Sequence, residues 1–236
     1  MHRLVFTVLM QHLPEAQSGP ALQILTDALS HQNVQIRELA VVAIADLPIP
    51  PARRVSALAA GMRDVSPRVR RRAARAIGDQ GPAAHAALQL LTAGLKDTDP
   101  SVRRDCAGSL GRLGPVAHAA APLLVPLLAD PENRTRAVIA VALKRIGRAS
   151  VPALLAGLRA PDAAQRGRCV TLLGQIAPDD ERVLDALKGM GGDEPPEVRE
   201  RIDEAMLAAR TPPPLPTPLA RRLPAGEPAA LAPVRK

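Results

Sequence analysis

Apolar and polar positions along this chain recur with a period near that of a two-helix unit. A residue pair ending in arginine repeats as Ile36-Arg37, Val69-Arg70, Val102-Arg103, Thr135-Arg136, Gln165-Arg166 and Val198-Arg199. The steps between these arginines are 33, 33, 33, 30 and 33 residues. Three positions after each arginine stand Ala40, Ala73, Cys106, Ile139, Cys169 and Ile202. Seven positions after it stand Ile44, Ile77, Leu110, Leu143, Leu173 and Met206. With the residue before the arginine and the one four after it, these columns form one apolar stripe at helical spacing.

Punctuation agrees with the stripe. Ser66-Pro67, Asp99-Pro100 and Asp130-Pro131 read as a helix N-cap with proline in the first turn. Gly81, Gly114 and Gly147 stand eleven residues after their arginines, where a helix ends and the chain turns. Further apolar helices follow over 83–95, 116–128, 151–158 and 183–187. The unit is helix, turn, helix. One such pair cannot bury its apolar faces alone, but a stack of pairs can. The pattern predicts an all-α solenoid of about six units.

The period by itself fits several repeat families. The Thr-Pro-Leu-His signature of ankyrin repeats is absent, and the aromatic signature of tetratricopeptide repeats is impossible here. What remains resembles HEAT repeats, in the short form named for phycobilisome lyases. The marks are Asp97-Thr98-Asp99-Pro100-Ser101-Val102-Arg103 and Ala107-Gly108-Ser109-Leu110-Gly111. The resemblance covers residues 19–210 and implies an armadillo-like, right-handed superhelix. It also implies that the loop aspartates and the second-helix arginines bond along the stack, between neighbouring units. The residues concerned are Asp64, Asp97, Asp130 and Asp193, with Arg37, Arg70, Arg103, Arg136 and Arg199. Repeat five departs from the pattern: three residues are missing before Arg166, and Ala160 replaces the aspartate. A shortened first helix and a local change of curvature are expected there.

Composition narrows the chemistry. Phe6 is the lone aromatic, so the core is built from Ala, Leu, Val and Ile, which suits closely approaching helices better than a β-sandwich. The net charge is +8, which suggests a polyanionic partner. Only Lys96, Lys144, Lys188 and Lys236 are lysines among 31 basic residues, a bias that a GC-rich coding sequence would also produce. Cys106 and Cys169 occupy the same core column two repeats apart, beyond disulfide reach, so reduced buried thiols are expected. His85 and His118 share a column but have no companion ligands, so no metal site is expected. No phosphate-cradling glycine loop or Ser–His–Asp order stands out, and a chain without catalysis or cofactor is the expectation. No membrane-length apolar run occurs, and a cytoplasmic protein is expected.

Residues 1–18 read as a capping helix and 211–236 as a proline-rich disordered tail, with eight prolines and no helical period. The resemblance to HEAT repeats implies that the second helices line a concave face. Positions between the core columns would then meet a partner: Arg68, Arg71, Arg72, Arg75, Arg104 and Arg134, followed by Val138 and Val141. Repeat six offers Glu197, Glu200, Arg201 and Glu204 at the same positions, so the groove would run from basic through apolar to acidic. That gradient suits a protein partner with an acidic patch. Two alternatives stand beside it. One is a bilin-lyase-like or other enzyme-associated subunit. The other is a nucleic-acid binder using the arginines of repeats two and three, although the stacking aromatics of single-strand binders are missing.

Overall fold

A computed structural model describes residues 15–190 and 192–210 of the chain. The proline-rich segment 211–236 and most of the segment 1–18 therefore lie outside the described residues. Among those described there are twelve α-helices, five short 3-10 segments and no strand. The order is α1 (Glu15–Ala28), α2 (Val34–Asp46), α3 (Pro51–Gly61), α4 (Pro67–Gly78), α5 (Leu88–Ala93) and α6 (Pro100–Leu113). Then follow α7 (Ala121–Leu124), α8 (Asn133–Ile146), α9 (Val151–Gly157), α10 (Ala163–Ile176), α11 (Glu181–Gly189) and α12 (Pro196–Arg210). The even-numbered helices carry the arginine column. They form one row, and the odd-numbered helices with their 3-10 segments form the other. The boundary expected at residue 18 falls inside α1, which runs through Gly19 and Pro20 without a break.

The apolar stripe is what glues the rows. Val69, Ala73, Ala74 and Ile77 of α4, Val102, Cys106, Ala107 and Leu110 of α6, and Cys169, Val170 and Leu173 of α10 are all buried. They belong to one hydrophobic cluster that runs from Leu29 to Ala205. No pair of helices owns a core of its own, which is the energetic signature of a solenoid.

The first helices differ from the sequence expectation. The stretches 83–95 and 116–128 are not continuous α-helices. They open as 3-10 turns over Gly81–Ala87 and Gly114–Ala120, relax into α5 and α7, and close as 3-10 again. Over 116–128 proline explains much of this. Pro82 and Pro115 set the first turn, and Pro122 and Pro126 supply no backbone N–H, so no long i→i+4 ladder can form. Gly114 sits at φ 66°, ψ −143° and Gly147 at φ 73°, ψ −147°, a region open in practice only to glycine. The N-cap of α8 is Glu132, not Asp130, which stands two residues before the cap as Asp64 and Asp97 do before Ser66 and Asp99.

Repeat five breaks the rhythm. Its first helix, with the preceding 3-10 turn, spans only Gly147–Gly157. Helices α8 and α10 touch far less than α6 and α8 or α10 and α12. Helix α10 leans instead on the end of the preceding first helix. There Gln165 Nε2 donates to the Val125 carbonyl at 3.2 Å and Arg168 Nη1 to the Leu128 carbonyl at 2.9 Å. Among the described residues no helix is long and apolar enough to cross a membrane.

Candidate functional site

Two polar systems run along the stack. The first follows its loop edge. Arg37 clamps Asp64 with Nε–Oδ2 at 2.6 Å and Nη2–Oδ1 at 2.9 Å. Arg70 clamps Asp97 in the same fork, at 2.7 and 2.8 Å. Arg103 reaches Asp130 with Nη2 alone, at 3.3 Å. Each arginine also turns Nη1 back onto two carbonyls of its own loop, for Arg70 those of Asp64 and Val65. Each aspartate accepts a loop N–H as well, for Asp64 that of Ser66. One arginine thus fixes its own loop and the next, so the angle between repeats is set by hydrogen bonds of defined direction.

The electrostatics follow from this geometry. Burial alone would raise the Asp64 and Asp97 carboxyls. Hydrogen bonds from Arg37 and Arg70, the loop N–H groups and the adjacent guanidinium charges outweigh it and hold both below the usual aspartate value.

The ladder departs from expectation at its far end. Arg166 pairs with Glu194, Nη2 to Oε2 at 2.7 Å, and not with Asp193, which is exposed. Glu194 stands one position later in the loop, directly before the Pro195-Pro196 pair. Arg136 has no carboxylate partner among the described residues, since its column offers Ala160. Arg199, at the end of the described stack, likewise meets no acid there.

The second system lies on the face of the even-numbered helices. Helix α4 carries its arginines in two i, i+4 pairs that splay in opposite directions. Arg68 and Arg72 reach back to Glu38 of α2, at 2.7 and 3.6 Å. Arg71 and Arg75 reach forward to Asp105 of α6, both at 3.0 Å. Four guanidinium groups share two carboxylates, so positive charge is in excess. The two acids are nearly buried, whereas the side chains of Arg68 and Arg75 remain 66% and 55% exposed. Arg104 is different: it turns along the stack to Glu132 at 2.7 Å and is only 19% exposed, so it braces repeats more than it faces outward. Arg134 is exposed and has no ion partner among the described residues. Glu38, Asp105 and Glu132 were not singled out from sequence. They sit at variable offsets, and only the stacking of repeats brings them under the arginines.

Beside this charged strip the surface becomes apolar. A hollow of about 300 Å³ is lined by Gly108, Gly111, Ala137, Val138, Val141 and Ala142, with Arg112 and Arg145 at its rim. Val141 is 43% exposed. Thus α4, α6 and α8 place the arginines and the two valines on one continuous face.

The remaining candidates are placed as follows. Cys106 and Cys169 are fully buried and unpaired, and burial pushes both thiols up to about 12. His85 and His118 are exposed, the latter with Nδ1 at 3.2 Å from the Pro115 carbonyl. Among the described residues no three metal-ligating side chains gather.

Comparison with known proteins places this architecture. The chain is similar in fold to an engineered protein, at 19% identity over 80% of this chain and 96% of that one, with a TM-score of 0.51. It is similar to an archaeal HEAT-like repeat protein from Thermococcus onnurineus NA1, at 13% identity over 87% of this chain and 91% of that one, TM-score 0.51. A phycocyanin lyase complex from Nostoc sp. PCC7120 aligns at 20% identity over 78% of this chain and 94% of that one, with a TM-score of only 0.37. No curated protein sequence matches the chain. The family description of HEAT repeats matches residues 55–144 and 122–207, which overlap to cover more than half the chain. This chain belongs to the HEAT-repeat family.

Proposed function

We propose that the chain is a non-catalytic interaction scaffold whose even-helix face, from α4 to α8, docks an acidic protein. The observation that carries this reading is the continuity of two surfaces. An exposed surplus of guanidinium groups around Arg68 and Arg75 borders the apolar hollow at Val138 and Val141. A partner with carboxylates beside an apolar anchor would satisfy both. The anchor supplies affinity through desolvated contact, and the charges supply steering and register. The guanidinium groups are held in place by Glu38 and Asp105, so little side-chain entropy is lost on docking.

The test uses a photo-cross-linking residue at position 134 in native lysate. One protein should be recovered in stoichiometric amount, and Val138→Asp with Val141→Asp should abolish its capture. A cross-linker at position 188, away from this face, should recover none of it. Equal capture from both positions would reject the reading. So would binding of duplex DNA with a steep salt slope that is lost in an Arg71, Arg72 and Arg75 triple alanine variant.

A further inference from the structure

The loop-edge ladder contains its own control. Arg37, Arg70 and Arg166 each present Nε and Nη2 to a carboxylate, at distances between 2.6 and 3.1 Å. Arg136 is prepared in the same way. Its Nη1 is fixed by the carbonyls of Asp130 and Pro131 at 2.6 and 3.0 Å, as in the other repeats. Yet its Nε has no partner among the described residues, and its Nη2 has only the Asn133 amide oxygen at 3.3 Å. The position that should supply the acid is occupied by Ala160. Its carbonyl accepts Arg166 Nη1 at 2.8 Å, just as the Asp64 carbonyl accepts that of Arg70, so it holds the aspartate's place in the loop.

A second positive group lies close by. Arg168 is half-buried, and its described hydrogen bond goes to a carbonyl, that of Leu128, not to an acid. Burial first, and then the charge of Arg136, hold its pKa below the ordinary arginine value, and Asp162 offsets this only in part. Asp162 itself is engaged by the N–H groups of Ala164 and Gln165. Two guanidinium groups therefore share a partly desolvated junction where the chain offers no free carboxylate among the described residues.

We propose that the Arg136 fork, with Arg168 beside it, is an open binding site for an external carboxylate at the junction of repeats four and five. A planar group with two oxygens fits the fork side-on, as Asp64 and Asp97 do in their own repeats. The carboxylate comes either from an acidic side chain of a bound polypeptide or from a small free dicarboxylate. The site is distinct from the even-helix face and does not depend on what docks there.

The experiment follows the side-chain ¹⁵Nε resonances of arginine in the full chain at constant ionic strength. Three probes are titrated: sodium succinate, a glutamate-containing hexapeptide with blocked ends, and sodium bromide. Either carboxylate should move the Arg136 signal saturably, and the tighter of the two identifies the source. Bromide carries a negative charge but no pair of oxygens, and should bind at least about tenfold more weakly. Arg136→Lys keeps the charge but lacks the fork, and should weaken binding at least about tenfold. Ala160→Asp should fill the fork from within, abolish binding and raise the unfolding midpoint. Circular dichroism of each variant checks that it folds. Bromide binding equal to succinate, full binding by Arg136→Lys, or full binding by Ala160→Asp would each overturn the proposal.

Discussion

Arg70 illustrates how much one side chain does here. It bridges the loop of its own repeat to the aspartate of the next, with five nitrogen–oxygen contacts from Arg70 and Asp97 to loop and partner. Arg70→Ala leaves the shielded Asp97 carboxylate without its charged donor. The expected loss is about 1–3 kcal/mol of stability, read as a lower urea midpoint with helicity retained. Arg103→Ala is expected to do less, because its ion contact is single and longer, and neither change should remove partner binding selectively. The same carboxylates set the acid limit. Their folded pKa values are depressed, so their contribution is fully present above the unfolded aspartate value of ~3.9. It is lost as pH falls through the lower folded values. Glu132, held low first by the Thr135 hydroxyl, acts with the same sign. The unfolding midpoint should therefore decline below about pH 4, and an Asp64→Asn, Asp97→Asn double variant should show a shallower decline.

Residue-scale legibility was uneven for a physical reason. The ladder columns could be read because the same bond is needed in every repeat, and repetition writes it into the sequence. Glu38 and Asp105 could not, because each serves a single pair of repeats and its offset differs. Glu194 takes the place of Asp193 from one position later in the loop, which the column offset does not encode.

At the scale of elements, the arginine-bearing helices were legible and the first helices were not. A stripe at four fixed offsets, with glycine behind it, leaves little choice but a helix. Alanine- and proline-rich runs such as 114–129 satisfy the apolar pattern equally as α or 3-10 structure, and only the accounting of missing N–H groups distinguishes them. The close approach of α6 to α8 makes its own prediction. A Cβ placed on Gly111 would lie 2.8 Å from the Cα of Ala142, a backbone atom that cannot rotate away. Gly111→Ala should cost about 1–3 kcal/mol through overpacking, despite the better helix propensity of alanine. Thermal unfolding of this variant against Gly189→Ala, where the added methyl meets nothing, checks the assignment.

At the scale of the molecule, the stack is continuous in its hydrophobic seam but uneven in its coupling. Helices α8 and α10 meet little, the ladder skips a rung at Arg136, and side-chain bonds to the carbonyls of Val125 and Leu128 tie α10 to the preceding repeat beside the apolar packing. In a linear array, stability is a sum of local terms and neighbour terms, so a weak neighbour term marks where the array parts first. The missing three residues announced this place in the sequence; the way α10 re-seats itself on the preceding repeat did not, since only the stacking brings Gln165 and Arg168 within reach of the Val125 and Leu128 carbonyls.

The two cysteines fall on opposite sides of that weak junction, Cys106 in α6 and Cys169 in α10, each sealed from solvent. Nature has thus left a silent chemical clock in either half. A bulky thiol reagent can strike only when the surrounding helices part, so the rate at which each sulfur is captured times the opening of its own segment. Mass spectrometry should find Cys169 captured first, and Gln165→Leu should quicken that clock while leaving the one at Cys106 unchanged. Equal capture at both sulfurs under all conditions would mean that the array opens as one body.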